Sequence, residues 1–200
     1  MNNKKLIILG AGGHGRVSAE IAEQLGYSVN FLDDAKFDDD KVIGRISEFR
    51  KYINGYSFFV AIGNNELRKS LTIKLSELGA GIATLVHPKS AVSKNVIIEK
   101  GTVIMAGVVV NSGSRIGEGC ILNTCSSVDH DCNIADFTHI SVGAHLAGNV
   151  NVGTECFVCA GATVINNISI REKSTIGAGA VVIKDITESG TYIGVPAVKK

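Results

Sequence analysis

The sequence predicts an α/β plus all-β protein, a small parallel α/β unit followed by a β-solenoid. Strand and helix signals alternate over residues 1–85, whereas residues 86–200 follow a six-residue hydrophobic period. The first segment carries 21 charged residues and the longer second segment only 18. The change falls at His87–Pro88, where proline disfavours helix in the residue before it. We therefore predict domains at residues 1–87 and 88–200.

The first domain opens with a strand and a helix joined by glycines. Residues 5–9 are a short apolar run of the kind that forms a buried strand, and residues 10–15 read Gly-Ala-Gly-Gly-His-Gly. Apolar residues then recur at helical spacing over residues 17–25, and Gly26 ends that helix.

Two further strands and a second helix complete the predicted α/β unit. Residues 28–32 and 56–62 are strand-like, and each run ends at polar or glycine residues. Asn64 or Asn65 can cap the following helix, which Gly79 closes. Strands separated by helices of this length form a parallel sheet.

The glycines of the first turn match a nucleotide-binding pattern. Gly10, Gly12 and Gly15 satisfy G-x-G-x-x-G between a strand and a helix, and Asp33-Asp34 follows about twenty residues later. About 85 residues supply only half of a dinucleotide crevice, so a mononucleotide fits better than NAD. The alternative is an ordinary tight turn with two solvated aspartates.

The second domain is organised by hexapeptide repeats. Every sixth residue from Val92 is Val, Ile or Leu, and the residue four positions further on is mostly small, as at Ser114, Cys120 and Ala144. The sixteen aliphatic positions are Val92, Ile98, Ile104, Val110, Ile116, Leu122, Val128, Ile134, Ile140, Leu146, Val152, Val158, Val164, Ile170, Ile176 and Val182. One aliphatic and one small inward residue per hexad predicts short strands joined by tight corners, which is a β-solenoid.

The five cysteines are expected to be thiols without a metal. Cys120, Cys132 and Cys156 occupy the small inward position, where a thiol acts as a compact apolar group. Cys159 completes a C-x-x-C pair with Cys156, but the second pair of a four-ligand zinc site is missing. Cys125 and Cys159 lie outside the inward register without a neighbouring histidine, so no thiol nucleophile is predicted.

Charge and hydropathy exclude several classes of partner. The formal net charge is +1, which disfavours binding to nucleic acid. No apolar run approaches the ~18 residues of a membrane span, so we expect no membrane partner. Residues 1–5 lead into only four apolar residues, too few for a signal peptide, and this favours a cytoplasmic protein.

The whole chain resembles the bacterial UDP-linked 4-amino-sugar N-acetyltransferases of the bacillosamine-pathway type, sialic-acid O-acetyltransferase-like proteins with hexapeptide repeats. The motifs that carry the resemblance are residues 12–15, 31–34, 58–66, 122–124, 127–132, 139–144, 147–150 and 193–197. It implies a Rossmann-like βαβ domain followed by a left-handed parallel β-helix of hexapeptide repeats. It also implies a homotrimer that holds acetyl-CoA between neighbouring subunits.

The resemblance assigns one group of residues to the sugar nucleotide. The residues that it places around the UDP moiety are Gly12, Gly13, His14, Asp33, Asp34 and Gly63. Backbone N–H groups of residues 12–15, at a helix N-terminus, would hold the diphosphate. Asn123 has two predicted roles. Its side chain either lines the amino-sugar pocket or forms a ladder with the amides of other corners.

His130 is the predicted catalytic base. It lies two residues past the inward Val128, hence at a corner, and it coincides with the catalytic histidine of the family. An imidazole with a pKa near ~6.5 can accept the proton that an amine sheds as it attacks a thioester. Asp131 is the first choice to orient the ring, where close relatives carry Glu; Asp129 or a water is the alternative for this shorter side chain.

The resemblance also supplies contacts to acetyl-CoA. His139 is expected to contact the thioester and to stabilise the developing oxyanion. Gly148, Ala160 and Ala178 match positions that approach the pantetheine arm, with turn and core geometry as the alternative reading. His145 carries no family role and is expected to be exposed.

These observations predict a trimeric acetyltransferase that acts on the 4-amino group of a UDP-linked deoxy-amino sugar, by direct transfer in a ternary complex. Other acceptors, a GDP-linked amino sugar or a sialic-acid hydroxyl, are the nearest alternatives. A non-catalytic nucleotide-binding protein and an NAD oxidoreductase are alternatives from other classes.

Overall fold

The computed structural model of the chain describes residues 4–35 and 40–200. The chain folds as two compact units, Met1–Pro88 and Lys89–Lys200. The first is an α/β unit and the second is a parallel β-helix, in agreement with the predicted fold class.

The first unit contains a four-stranded parallel sheet in the order β2-β1-β3-β4. The elements of the first unit, in chain order, are β1 (Lys4–Leu9), α1 (Gly13–Gln24), β2 (Tyr27–Leu32), a 3-10 helix (Ile46–Tyr52), β3 (Ser57–Val60), α2 (Asn65–Glu77), β4 (Gly81–Ile82) and β5 (Leu85–Val86). Strand β1 is flanked by a strand on each side, and its residues Leu6 to Leu9 are completely buried. Burial on both faces explains why this strand reads as a continuous apolar run.

The ends of the two helices agree with their sequence signals. The Asn64 side chain accepts a hydrogen bond from the Leu67 N–H at 2.9 Å, so Asn64 and not Asn65 caps α2. Gly26 and Gly79 follow the two helices in the left-handed conformation, with φ of +83° and +75°. The 3-10 helix was not predicted, because its one buried residue, Phe49, gives no periodic signal.

The second unit is built from strands of two residues separated by tight corners. They are β6 (Ala91–Val92), β7 (Ile97–Ile98), β8 (Val103–Ile104), β9 (Val109–Val110), β10 (Arg115–Ile116), β11 (Ile121–Leu122), β12 (Ser127–Val128), β13 (Asn133–Ile134), β14 (His139–Ile140), β15 (His145–Leu146), β16 (Asn151–Val152), β17 (Phe157–Val158), β18 (Thr163–Val164), β19 (Ser169–Ile170), β20 (Thr175–Ile176) and β21 (Val181–Val182). Strands β22 (Thr191–Ile193) and β23 (Val198–Lys199) follow.

Every third strand joins the same sheet, which gives the helix three faces. The first face contains β7, β10, β13, β16 and β19; the second contains β8, β11, β14, β17 and β20; the third contains β6, β9, β12, β15, β18 and β21. Equivalent residues in neighbouring coils are 18 positions apart, as in the pair Ser127 and His145. The outward residues therefore form columns along the helix axis.

The hexapeptide register places the core as predicted. From Ile104 to Val182, every aliphatic position of the register is buried, and so is every small position from Thr102 to Ala180. The first coil is the exception, because Val92 and Ile98 are half-buried there. Cysteines and alanines are buried at this second position, and Val108, Val150 and Ile168 are buried at the same position of other coils.

Two of the three columns of corners are important for the site. The histidine corner joins the third face to the first and contains residues 111–113, 129–131, 147–149 and 165–167. The alanine corner joins the second face to the third and contains residues 123–125, 141–143, 159–161 and 177–179. In the triangular section of the prism, the histidine corner is the vertex opposite the second face.

Candidate active site

The glycine-rich loop forms a close turn between β1 and α1. A Cβ atom on Gly15 would lie 2.0 Å from the carbonyl oxygen of Gly10, so only glycine allows this approach. Gly10 itself has φ of +103°. The turn therefore brings the start of α1 against the end of β1.

Three other glycines leave the edge of this unit open. A Cβ atom at Gly12, Gly13 or Gly63 would meet no atom within 4 Å. Gly12 and Gly13 precede and begin α1, where backbone N–H groups are not used by the helix. Exposed N–H groups at a helix N-terminus are suited to an anion such as a phosphate.

Both predicted aspartates are tied to backbone N–H groups of their own unit. Asp33 Oδ2 accepts from Ala11 at 2.7 Å, and its Oδ1 accepts from Ala35 at 2.8 Å. Asp34 Oδ1 accepts from Ile46 at 3.1 Å. Asp33 therefore holds the glycine-rich loop in addition to any contact with a ligand.

Arg68 lies beside the loop that follows β3, close enough for its charge to act on His14 at the start of α1. Arg68 is 1% exposed and donates to the carbonyl oxygens of Ile62 at 2.9 Å and Gly63 at 3.2 Å. Nε2 of His14 is shielded from solvent and has no hydrogen-bond partner within residues 4–35 and 40–200. Burial first, and the charge of Arg68 second, lower the pKa of His14 to about 4, so this ring is neutral at physiological pH. The burial of Arg68 was not predicted, because an arginine in the first turn of a helix is usually a surface residue.

His130 and Asp131 form a hydrogen-bonded pair at the histidine corner. Nδ1 of His130 lies 2.8 Å from Oδ2 of Asp131, so the shorter aspartate does reach the ring. The His130 side chain is 60% exposed. The hydrogen bond to Asp131 is the main cause that raises the pKa of His130. Asp131 has φ of +58°, a left-handed conformation that Asn149 and Asn167 share at the same corner position of later coils.

Asp129 contacts the backbone of His130 and not its ring. Its Oδ1 accepts from the His130 N–H at 2.8 Å and from Nδ2 of Asn111 at 2.7 Å. The bond from Asn111 is the main cause that lowers the pKa of Asp129. Of the predicted alternatives Asp131, Asp129 and a water, Asp131 is the carboxylate on the ring, and Asp129 fixes the main chain. Asn111, one coil before Asp129, belongs to none of the sequence motifs, so it was not predicted as a site residue.

His139 and Asn123 lie on another side of the prism. His139 begins β14 on the second face, and its ring stacks on Phe157 with centroids 4.8 Å apart. Nδ2 of Asn123 is 3.4 Å from Nε2 of His139, and Oδ1 of Asn123 accepts from Thr124 at 2.8 Å. Asn123 therefore faces His139, and neither of its two predicted readings described this contact.

The three small residues of the predicted cofactor contact separate into two places. Ala160 and Ala178 are exposed and lie in successive coils at the alanine corner, where Gly179 N–H donates to the Ala160 carbonyl at 2.9 Å. Gly148 is buried at the histidine corner, in the coil after His130. Within the second unit, the predicted site residues thus form one set at the histidine corner, with His130, and another on or beside the second face, with His139.

A cleft of about 380 Å³ lies on the third face, next to the histidine corner. Asn111 and Asp129 line one part of it, and Ser127 and His145 line another. His145 is exposed, as predicted, and its Nδ1 lies 2.8 Å from Oγ of Ser127. The cleft therefore adjoins Asp129, which accepts from the His130 backbone, and Asn111, which donates to Asp129.

The inward cysteines behave as core residues. Cys132 and Cys156 donate to the carbonyl oxygens of Ala147 at 3.2 Å and Arg171 at 3.1 Å. Burial raises the pKa of the Cys156 thiol to about 11. The described part of the chain contains no group of three or more His, Cys, Asp or Glu side chains that could hold a metal. Of the helices in residues 4–35 and 40–200, none has the length and hydropathy to span a bilayer.

Comparisons with known proteins agree with this architecture. Residues 5–75 match the family described as the PglD N-terminal domain. The acetyltransferase domain of PglB from Neisseria gonorrhoeae FA1090, solved with acetyl coenzyme A, superposes with a TM-score of 0.95 at 40% identity, covering 100% of both chains. PerB from Caulobacter crescentus, solved with CoA and GDP-perosamine, gives a TM-score of 0.91 at 37% identity, covering 98% of this chain and 97% of PerB.

A further relative is the UDP-N-acetylbacillosamine N-acetyltransferase of Bacillus subtilis (strain 168). It is 38% identical over 112 residues, and the match covers 52% of this chain and 52% of the relative. The match therefore spans about half the length of that relative. Together with the structural matches, it confirms the predicted fold class and the predicted resemblance.

Proposed function

The chain belongs to the hexapeptide-repeat family of sugar N-acetyltransferases, and on this premise we propose that it transfers the acetyl group of acetyl-CoA to the 4-amino group of a UDP-linked deoxy-amino sugar. The acetyl donor is the molecule bound by the PglB relative. The UDP-linked acceptor corresponds to the name of the Bacillus relative.

The observation that carries the proposal is the pair of His130 and Asp131. With Nδ1 protonated and donating to Asp131, Nε2 is left as the acceptor of a proton. Nε2 of His130 takes the proton that the sugar amine loses when its nitrogen attacks the acetyl carbonyl carbon, and the carbon–sulfur bond breaks as CoA leaves. The charge of Asp131 stabilises the imidazolium that results.

The residues around acetyl-CoA come from two subunits in this proposal. His139, Asn123, Ala160 and Ala178 lie on or beside the second face, whereas His130 is at the opposite vertex of the same prism. The buried core separates them, so a single chain cannot bring both histidines to one thioester. A homotrimer in which His130 of one subunit meets His139 of the next removes this difficulty, and closed rings of identical subunits are common.

Acetyl-CoA is expected to lie along the alanine corner. Ala160 and Ala178 are exposed and stacked, and they present no long side chain that would hold an extended pantetheine arm away from the wall. Because Nδ2 of Asn123 can only donate, Nε2 of His139 accepts in their contact; to donate to the carbonyl oxygen as it gains charge, His139 needs the tautomer with a proton on Nε2 and must give up that contact.

The first unit is expected to hold the nucleotide. Gly12, Gly13 and Gly63 leave open backbone, and the neutral His14 can donate to or accept from a phosphate or ribose without a charge of its own. Asp33 and Asp34 are the remaining contacts proposed for the UDP moiety. Four parallel strands suit a mononucleotide better than a dinucleotide.

A GDP-linked amino sugar is the second candidate acceptor, because PerB was solved with GDP-perosamine at comparable identity. The test measures CoA release from acetyl-CoA with a UDP-linked 4-amino sugar, its GDP counterpart and free sialic acid. Release with the UDP acceptor alone supports the proposal. Release only with the GDP-linked sugar, or only with sialic acid, would identify that molecule as the acceptor in place of the UDP-linked sugar. No release with any of the three would favour a non-catalytic nucleotide-binding protein.

A further inference from the structure

The imidazole of His130 lies directly against the backbone of Gly148. A Cβ atom on Gly148 would be 2.5 Å from Nε2 of His130, 2.6 Å from Cε1 and 3.1 Å from Cδ2. Real Cβ atoms essentially never approach another heavy atom below 3.0 Å. The space that an alanine side chain would occupy at position 148 is therefore taken by the ring.

Backbone conformation does not explain the glycine at position 148. At some corner positions glycine is favoured by the backbone itself. Gly113, one coil before Asp131, is an example, because its φ of +78° lies in the left-handed region that favours glycine. Gly148 is not among the residues with positive φ, so any L-amino acid could adopt its backbone angles. The same corner position carries Ser112 one coil before His130 and Asn166 one coil after Gly148. A side chain is therefore acceptable to the solenoid at this position.

We propose that Gly148 is a positioning residue, which leaves the space that the His130 ring needs to remain hydrogen-bonded to Asp131 with Nε2 facing the reactants. This inference rests on the proposed function, because it concerns the geometry of the proposed base. It differs from the expectation that Gly148 makes room for the pantetheine arm. The contact with His130 is made in the chain itself, and it covers Gly148.

The substitution Gly148→Ala tests this role. The added methyl group must displace the imidazole, because the ring atoms are closer than any real contact. A displaced ring loses its bond to Asp131 at 2.8 Å, which is the main cause of the raised pKa of His130. Asn166→Ala is the matched control, since it places the same alanine side chain at the same corner position, one coil beyond Gly148.

The first readout is the titration of His130, followed by NMR in protein labelled at histidine Cε1 and assigned with His130→Ala. The wild type and Asn166→Ala should titrate above the ordinary histidine pKa, and Gly148→Ala should titrate closer to it. The second readout is acetyl transfer, where Gly148→Ala should lower kcat by about 10- to 100-fold and leave KM for acetyl-CoA within about twofold, as expected when a base is misplaced.

Thermal unfolding supplies the third readout. Gly148→Ala should lower Tm only slightly in the wild type, because the atoms that must move end a side chain that is 60% exposed, and it should leave Tm unchanged in the His130→Ala background, where the ring is absent. An unchanged His130 titration in Gly148→Ala, or a raised KM for acetyl-CoA with normal kcat, would overturn the inference. A loss of Tm that persists in His130→Ala would do the same. If the wild type transfers no acetyl group, the proposed function fails, while titration and unfolding still decide the role of Gly148.

Discussion

His130 and His139, the two histidines proposed to act on one thioester, lie on different sides of the same β-helix. His130 is at the corner between the third and first faces, and His139 is on the second face, opposite that corner. Side chains that are completely buried, including Val128 and Ile140, fill the space between these sides. The proposed reaction therefore requires an assembly, and this requirement can be tested without a structure of that assembly.

Mixed assemblies of two inactive variants should regain activity. His130→Ala and His139→Ala are each expected to be impaired alone, whereas a coexpressed 1:1 mixture should restore about a quarter of the sites, because random trimers join an intact His130 to an intact His139 at that frequency. The measurement is acetyl transfer by the purified mixture of differently tagged chains. Activity no greater than the sum of the two separate variants would contradict a shared site.

Removal of the Asp131 carboxylate should change the pH dependence of the reaction. The base works when unprotonated, and Asp131 raises the pKa of His130. The wild-type rate should thus fall as pH decreases through a value above ~6.5, the ordinary histidine pKa. In Asp131→Ala this acidic limb should move to lower pH, while the maximal rate falls.

The control for this variant is Asn149→Ala. Asn149 has the same left-handed φ of +58° as Asp131, one coil further on, so both substitutions put alanine into the same backbone conformation. Asn149→Ala should leave the acidic limb in place. If the limb of Asp131→Ala coincides with that of the wild type, Asp131 does not orient the base.

The half-buried His14, whose Nε2 is shielded from solvent, should destabilise the protein as pH falls. Its pKa is about 4 in the folded chain and about 6.5 in the unfolded chain, so between these values the unfolded state binds more protons. Stability should be highest above pH 6.5, and the His14 contribution to its loss should reach about 2 to 3 kcal/mol by pH 4.5. Urea unfolding of the wild type and His14→Asn at pH 7 and 4.5 measures this difference. A loss that is equal in both proteins would exclude His14 as its source.

Gly15→Ala should disrupt the glycine-rich loop. The added Cβ would lie 2.0 Å from a backbone oxygen that cannot rotate away, so β1 and α1 must separate. We expect a cost of about 3 kcal/mol or more in unfolding free energy, from overpacking at this contact. Gly13→Ala serves as the folding control, because its Cβ meets nothing within 4 Å. Equal Tm values for the two variants would show that the close turn is not needed for folding.

The sequence predicted the solenoid in detail because its inward positions repeat. A single register assigned the buried residues from Ile104 to Val182, and it placed His130 at a corner only by counting from Val128. The α/β unit was predicted with strand ends displaced by one or two residues, since burial and not composition sets those ends.

The contacts of the site depend on features that a sequence does not contain. Asp131 contacts the ring of His130 from a corner residue with positive φ, and the residue type alone shows neither this backbone conformation nor the contact. Arg68 is buried because carbonyl oxygens of the preceding loop converge on it. Gly148 faces His130 across one coil, 18 residues along the chain, so only the stacked register shows the contact.

CoA release from acetyl-CoA with the UDP-linked 4-amino sugar, measured for the wild type and His130→Ala, decides both the proposed reaction and the role of His130. We expect rapid release by the wild type and a rate lower by about two orders of magnitude in the variant, as removal of a general base implies. Equal release by the two proteins would contradict the role of His130. No release by the wild type with this acceptor would contradict the proposed reaction.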